Sequence, residues 1–319
     1  MQRRTISGAL VAASLSPFLT TRTLAYPAAQ TRVLVPSSAG GFGDRIARLL
    51  SDRWASSGHG RLIVGNRPGA GGALALRQFA TAPGDGSALF LGSTGTAIVL
   101  PMTKAGNNLK NLTPVMQIAS VPGVLLASAQ LPREFASLVD YIRSRPGHMS
   151  FGSAGNGSLG HLAFEALSKA WGAEIRHVSY KSGPEAMPDL LAGRLHLGIL
   201  NLGDATWLAA SGRVNAVAVS GPTRSQMLPM IPTFEEAGIG EADIEHWQGL
   251  FLPPNSSPQL VQKVVEHVVG LRSSSDFARK LGTLSATPSL QTSEQFAEKL
   301  LVQSERVARL VVHRRIDLA

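Results

Sequence analysis

The 319-residue chain contains no cysteine. Disulfide bonds, thiolate metal sites and a cysteine nucleophile are therefore excluded. Its eight histidines never have the His-x-x-x-His spacing that places two metal ligands on one face of a helix. The sequence therefore predicts no metal site, and we expect no cofactor.

Long apolar runs and concentrated charge are also missing. Beyond the N-terminus no stretch of about 18 uninterrupted apolar residues occurs, so no transmembrane helix is predicted. The net charge of +9 is spread along the chain, without blocks of Lys and Arg, and aromatic residues are only 6% of the total. This distribution argues against a nucleic-acid partner and mildly favours anionic solutes.

The N-terminus has the three parts of a signal peptide. A basic start at residues 1–4 precedes a mostly apolar or small segment from Ile6 to Leu19, and Thr23-Leu24-Ala25 supplies a small-x-small cleavage site. We expect cleavage near Ala25 and a periplasmic mature chain. The pair Arg3-Arg4 leaves the Sec route and the twin-arginine route open.

The rest of the chain repeatedly places a Gly- and Ser-rich loop after a short apolar run. Residues 32–44, 61–72 and 149–158 are examples, and each loop leads into helical periodicity. This alternation predicts an α/β protein with largely parallel sheets, in which the loops after the strands meet at one crevice. The C-terminal part instead predicts amphipathic helices, and Thr292 and Gln295 have capping-box spacing at the start of the last one.

Catalytic motifs are incomplete. A Gly-x-Gly-x-x-Gly fingerprint begins at Gly41 but has Ile46 in its sixth position. The stretch Asn156-Gly157-Ser158-Leu159-Gly160 approaches the Gly-x-Ser-x-Gly of hydrolases, and an exported serine hydrolase using Ser158 and His161 is the alternative interpretation. The loops are nevertheless richer in N–H and hydroxyl donors than in acids or bases, which favours binding an anion over transforming it.

Many stretches resemble one known family, in order, along essentially the whole mature chain. The two most specific are Asn66-Arg67-Pro68-Gly69-Ala70-Gly71-Gly72 and Ser153-Ala154-Gly155-x-Gly157-Ser158-x-x-His161-Leu162. Others are Pro83-x-Asp85-Gly86, His177-x-x-Tyr180-Lys181, Asp189-Leu190-Leu191-x-Gly193, Pro232-Thr233-x-x-Glu236-Ala237-Gly238 and Trp247-x-Gly249. With these motifs the chain resembles the Bug-type receptors of bacterial tripartite tricarboxylate transporters, the TctC-like family.

This resemblance implies a type II periplasmic-binding-protein fold, in which two α/β lobes hold a solute between them. Lobe I is expected to combine residues 26–124 and 233–319, and lobe II to span residues 125–232. The implied function is that of an extracytoplasmic receptor, not an enzyme, for a small organic acid: a di- or tricarboxylate, an amino acid or an aromatic acid. The implied partners are the integral membrane permease subunits of the transporter, with a sensor protein as a further candidate.

The resemblance further implies that loops from both lobes bind the carboxylate. In this interpretation Asp44 caps the helix after the first loop, and Asp204 either contacts the ligand or, as the favoured role, caps a helix that begins near Ala205. The predicted ligand-binding residues are Ser37, Ser38, Ala39, Gly40, Gly41, Asp44, Ser93, Thr94, Ser153, Ala154, Gly155, Gly157, Ser158, Tyr180, Asn201 and Asp204.

Several positions depart from the pattern of the family that the chain resembles. Ser37 stands where an aromatic residue is common, and Phe42-Gly43 replaces the usual Gly-Thr. Leu200 stands where many members have Asp, and Asp204 where Ser is more frequent. These departures favour a wider and more apolar pocket, suited to a larger or aromatic acid.

Overall fold

The computed structural model describes residues 29–58, 60–104, 106 and 112–318. The predicted signal peptide lies outside the described residues. The strands are β1 (Gln30–Val35), β2 (Arg61–Asn66), β3 (Ala88–Ser93), β4 (Thr113–Val121), β5 (Gly123–Ser128), β6 (Met149–Ser153), β7 (Ile175–Ser179), β8 (Leu197–Asn201), β9 (Val214–Val219), β10 (His246–Leu252) and β11 (Thr287–Pro288). The α-helices are α1 (Phe42–Ser56), α2 (Ala73–Phe79), α3 (Phe135–Arg143), α4 (Leu159–Trp171), α5 (Gly183–Leu191), α6 (Leu202–Ala210), α7 (Pro258–Arg272), α8 (Ser275–Gly282) and α9 (Ser293–His313).

The strands form two sheets with closely related orders. The first sheet has the order β11-β4-β10-β3-β1-β2, and the second has the order β7-β6-β8-β5-β9. In the first sheet β1 is parallel to β2 and β3, whereas β10 is antiparallel to β3 and β4. In the second sheet β6 is parallel to β7 and β8, whereas β5 is antiparallel to β8 and β9. Apart from the short edge strand β11, the two sheets therefore repeat one arrangement.

The chain changes sheets twice. It leaves the first sheet at the end of β4, passes through Pro122 and enters β5 of the second sheet. It returns to the first sheet between β9 and β10. The predicted fold of two α/β lobes is confirmed, while the lobe boundaries at residues 124 and 232 stay a prediction.

Helix α1 shows how local sequence places a functional segment. Ile46, Leu50 and Trp54 recur every four residues and are fully buried, because one face of the helix packs on the first sheet. Burying an Ile or Leu side chain of this kind stabilises the fold by about 1.5–3 kcal/mol. The packing holds the N-terminus of α1 just beyond the carboxyl end of β1.

The caps of three helices test the predictions made from the sequence. The capping box of α9 is confirmed, because Thr292 and Gln295 each accept the other's backbone N–H through their side chains. The predicted caps at Asp44 and Asp204 are wrong. Gly41 is the N-cap of α1 and Asn201 is the N-cap of α6, so each aspartate lies inside the first turn of its helix.

Candidate functional site

A cavity of about 230 Å³ lies between the two sheets. The carboxyl ends of the parallel strands β1, β3, β6 and β8 reach it, and helices α1, α4, α5 and α6 begin beside it. The unpaired N–H groups of helix N-termini carry partial positive charge, so this convergence favours an anion. The polar lining residues are Ser37, Ser93, Thr96, Ser153, Ser158, Lys181, Ser182, Asn201, Asp204, Ser220, His246 and Gln248.

The loop between β1 and α1 is held by a buried carboxylate. Asp44 Oδ2 accepts hydrogen bonds from the Gly40 N–H at 2.8 Å and from Arg48 Nε at 2.9 Å. Asp44 Oδ1 accepts from Asn66 Nδ2, which also donates to the Ser37 carbonyl. Burial opposes ionisation of Asp44, but these hydrogen bonds outweigh it and hold the pKa of the carboxyl below its ordinary value. Asp44 therefore stabilises the conformation of the loop, and both of its carboxylate oxygens are already engaged in hydrogen bonds within the protein.

Unpaired polar groups gather in front of this loop, at the start of α1. The Ser37 hydroxyl oxygen is buried and has no hydrogen-bond partner among the residues that the structure describes. Gln248, on β10, is 5% exposed, and its side-chain amide makes no hydrogen bond within the described residues. A Cβ on Gly43 would lie 3.3 Å from Ser37 Oγ and 3.4 Å from Gln248 Oε1, which brings both groups to the first turn of α1.

The backbone completes this group of donors. Gly41 offers no side-chain cap, so the N–H groups of Phe42 and Gly43 lack acceptors within the described residues. We name the set formed by Ser37, Gln248 and these two N–H groups the α1 subsite. Leaving buried donors unpaired costs free energy, and an anionic oxygen is the partner that satisfies the Ser37 hydroxyl and the two N–H groups. The Gln248 amide joins them as a donor when its terminal torsion turns Nε2 to the position where Oε1 lies here.

The serine loop of the second lobe is organised differently, because its hydroxyls are already paired. Ser153 Oγ lies 2.6 Å from His177 Nε2 and accepts from the Gly155 N–H. Ser158 Oγ accepts from the His161 backbone N–H as the cap of α4 and lies 3.4 Å from Ser153 Oγ. What this loop presents to the cavity is mainly the backbone at the start of α4.

The same contacts bear on hydrolase chemistry. The His161 ring accepts from the Gly157 N–H through Nδ1, so it does not pair with the Ser158 hydroxyl. Its ring stacks on His177 at 4.4 Å between centroids. Burial and the neighbouring His161 lower the pKa of His177 to about 4, and no carboxylate within the described residues hydrogen-bonds its ring. A nucleophile, base and acid in series are therefore not assembled around Ser158 or Ser153.

Side chains also join the two lobes beside the cavity. Arg45 Nη2, from α1, donates to both oxygens of Asp204, from α6, at 2.8 and 3.1 Å. His246 Nδ1 and Asn201 Oδ1 lie 2.9 Å apart, an arrangement in which Nδ1 carries the proton. Burial lowers the pKa of His246 to about 4, so this ring is neutral near pH 7.

The glycine motif at residues 66–72 is explained by backbone contact between the lobes. A Cβ on Gly71 would lie 2.2 Å from the Asn156 carbonyl oxygen, and Gly71 has a φ of 62°. Only glycine combines that conformation with so close an approach. The two most specific sequence motifs therefore meet each other at one side of the cavity.

The structure places half of the predicted ligand-binding residues on the cavity wall: Ser37, Gly41, Ser93, Ser153, Ala154, Ser158, Asn201 and Asp204. The others are not among the lining residues: Ser38, Ala39, Gly40, Asp44, Thr94, Gly155, Gly157 and Tyr180. Besides Asp44, whose carboxylate holds the loop between β1 and α1, three of these bind protein groups through their side chains. Ser38 donates to Glu185, Thr94 to the Glu245 carbonyl and Tyr180 to Asp189. Direct contact of any predicted residue with a solute stays a prediction.

The sequence analysis missed Gln248, His246 and Lys181 as lining residues. Gln248 did leave a signal, because it is a polar residue within the otherwise apolar or small stretch from Trp247 to Leu252. Its position in the cavity wall depends on β10 bringing it to the first turn of α1. No local sequence pattern predicts that contact. Much of the remaining wall is apolar: Val35, Phe42, Ala186, Met187, Leu190, Leu195, Leu197, Ile199, Leu200, Phe234, Ala242 and Ile244.

Two α/β lobes with matching strand orders around a cavity rich in N–H donors define the class of two-lobed solute-binding proteins. The chain belongs to the tripartite tricarboxylate transporter family of receptors, whose model matches residues 46–316. Members of this family are periplasmic solute-binding receptors, not enzymes, which decides against the serine hydrolase. No helix in the described part of the chain is long and apolar enough to cross a membrane.

Individual relatives agree with this assignment. Protein BugT of Bordetella pertussis is 28% identical over 275 residues, which cover 85% of this chain and 84% of BugT. A solved R. palustris protein with adipate is 28% identical, with a TM-score of 0.83 and coverage of 92% of this chain and 99% of that one. MatC from Rhodopseudomonas palustris with bound malate is 26% identical, with a TM-score of 0.83 and coverage of 90% and 100%.

Proposed function

We propose that this protein captures a small carboxylate between its lobes and delivers it to the integral membrane permease subunits of a tripartite tricarboxylate transporter. The observation that carries the proposal is the α1 subsite. There, the buried hydroxyl oxygen of Ser37, the buried side chain of Gln248 and two backbone N–H groups converge without partners among the described residues. A carboxylate taken from water needs fixed donors of this kind, because desolvation without them is costly.

The electrostatics of the α1 subsite support an anion over a neutral solute. The N-terminus of a helix as long as α1, with 15 residues, carries partial positive charge. The nearest acid, Asp44, has its oxygens turned to Gly40, Arg48 and Asn66. Lys181 adds a positive charge at the cavity, on an exposed side chain.

Known ligands of similar proteins point the same way. The two R. palustris structures contain adipate and malate, and both are carboxylates. Capture by closure of the two lobes fits the side-chain contacts across the mouth, since Arg45–Asp204 and Ser38–Glu185 join residues of opposite lobes. Of the sequence-predicted residues, we assign direct ligand contact to Ser37, beside the backbone N–H groups of Phe42 and Gly43 that follow Gly41.

Export is part of the proposal. A receptor that hands a solute to a membrane permease must work outside the cytoplasm, so we propose that the signal peptide is removed near Ala25. N-terminal sequencing of the protein recovered from a periplasmic extract is expected to begin at or near Tyr26. Protein that keeps Met1 and stays in the cytoplasmic fraction would contradict export by either route.

Binding is tested by a thermal-shift screen of the purified protein against small carboxylates, with the corresponding amides as controls. Ligand at about 100 times Kd adds about 2.7 kcal/mol of stability. At roughly 2–4 °C per kcal/mol, this is a rise of about 5–10 °C in the melting temperature. An acid that shifts the melting temperature while its amide does not supports the proposal. Equal shifts for acid and amide, or none for any acid, would contradict it.

A further inference from the structure

We infer that the solute carries a single carboxylate on an apolar body, with neither a second carboxylate nor an ammonium group. This inference rests on the proposed function and narrows its solute class. Aryl-substituted and branched alkyl monocarboxylates are the chemistry that fits.

The side chains that line the cavity offer one converging set of hydrogen-bond donors, which is enough for one carboxylate. At the α1 subsite the hydroxyl oxygen of Ser37 is buried without a partner, and the side chain of Gln248 is 5% exposed and makes no hydrogen bond, within the part of the chain that the structure describes. On the opposite lobe, Ser153 and Ser158 are already engaged with His177, Gly155 and the start of α4. A second carboxylate inside the cavity would meet the Ser220 hydroxyl, which already accepts from the Gly123 N–H, and the Asn201 amide, which is paired with His246 through its oxygen. Neither forms a converging set with unpaired backbone N–H groups like that of the α1 subsite.

The charges argue against an ammonium group. Asp204 is the acidic residue among the described lining residues, and both of its oxygens accept from Arg45. An amine on the solute would have to break that pair of hydrogen bonds to gain a counter-charge. Leu200, which lines the same wall near Asn201, offers no charge. The neighbouring His246 is neutral near pH 7 and offers none either.

Lys181 is the remaining charged lining residue, and it does not require a second carboxylate. Its side chain is exposed and forms no ion pair within the described residues. An exposed ammonium keeps its hydration and contributes little to a fixed pair. It raises the local concentration of anions at the cavity mouth for a solute with one charge as well as for one with two.

The remaining wall matches an apolar body in kind and in size. Met187, Leu190, Ile199, Leu200 and Ile244 line it together with Phe42. An apolar cavity of about 150 Å³ holds benzene. The volume of about 230 Å³ here therefore has room for one ring, a short linker and a carboxylate.

The test is isothermal titration calorimetry of the purified protein with five probes that separate the chemical classes. The first probe is 3-phenylpropanoate. Phenylalanine adds only an ammonium group to it, and 3-phenylpropanamide removes only the charge. Adipate and malate each carry two carboxylates. We expect 3-phenylpropanoate to bind at least tenfold tighter than each of the other four.

Two variants at one position sharpen the result. Leu200→Asp should weaken 3-phenylpropanoate at least tenfold and reduce the preference for it over phenylalanine, because it adds an acid to the apolar wall. Leu200→Met keeps the volume and polarity of the wall and should leave both affinities within about threefold of the parent chain. If Leu200→Asp fails to fold, the probe series on the parent chain and Leu200→Met still decides.

The outcomes separate this inference from the proposed function. Tighter binding of adipate or malate than of 3-phenylpropanoate would overturn the inference and leave the receptor function standing. Tighter binding of phenylalanine would do the same and would show that Asp204 exchanges Arg45 for the solute. Binding of the amide as tight as that of the acid, or no binding of any acid, would overturn both.

Discussion

Adding one methyl group at Gly43 should weaken carboxylate binding, because the added methyl group crowds the residues that hold the carboxylate. Gly43 lies in the first turn of α1 and does not have a positive φ, so alanine fits its backbone. The new Cβ would lie 3.3 Å from Ser37 Oγ, 3.3 Å from Val35 Cγ1 and 3.4 Å from Gln248 Oε1. It would therefore occupy the space in front of the α1 subsite. Loss of one or two hydrogen bonds to a charged group corresponds to about 1–3 kcal/mol, or about 5- to 150-fold in Kd.

A matched control separates this effect from a general effect of alanine. Gly270, near the end of α7, has nothing within 4 Å of the position of an added Cβ. Gly270→Ala should raise the free energy of unfolding by up to about 1 kcal/mol and leave Kd unchanged. Calorimetry with the acid found in the thermal-shift screen measures both variants. If Gly43→Ala binds that acid as tightly as the parent chain, the carboxylate is not held at the α1 subsite.

Three further predictions follow from the contacts around the cavity. Asp44→Asn should lower the free energy of unfolding by about 1–3 kcal/mol, measured as the urea midpoint, and an unchanged midpoint would contradict its role in holding the loop. Burial lowers the pKa of His177 and His246 to about 4 in the folded chain. The unfolded chain binds more protons between about pH 6.5 and pH 4, so stability should fall as the pH drops through this range. The slope is up to about 1.4 kcal/mol per pH unit for each histidine, and urea midpoints that stay level from pH 7 to pH 5 would refute it. A double-mutant cycle of Arg45→Gln and Asp204→Asn on solute affinity should give a coupling of at most about 1 kcal/mol that shrinks with added salt, because both side chains are 33% exposed. A coupling of zero at low salt would show that the pair does not support the closed form.

The fold could be predicted from the sequence because its signals are local and repeated. Each apolar run followed by glycine and serine marks a strand that ends in a loop and a helix, as at residues 32–44 and 149–158. The capping box at Thr292 and Gln295 also involves only residues three apart. Secondary-structure propensity, turn residues and helix caps each depend on only a few neighbouring residues. They can therefore be recognised in the sequence without knowledge of the tertiary fold.

The details of the site could not be predicted in the same way, because they depend on contacts between distant segments. Asp204 was expected to cap its own helix, but Arg45, 159 residues away in sequence, binds its carboxylate. Gln248 reaches the α1 subsite only because β10 crosses back beside β3. Ser153 was expected to offer its hydroxyl to a ligand, and His177 on the neighbouring strand occupies it. A polar side chain takes the best partner that the fold supplies, and that partner is set by topology.

The most direct test of the central claim is a crystal structure of the protein with an acid that raises its melting temperature. The account predicts a carboxylate oxygen within about 2.7–3.2 Å of Ser37 Oγ, of the Gln248 amide and of the backbone N–H of Phe42 or Gly43. It also predicts that Arg45 and Asp204 remain paired across the mouth. A carboxylate bound instead at the start of α4, with Ser37 and Gln248 still unpartnered, would contradict the assignment of the α1 subsite.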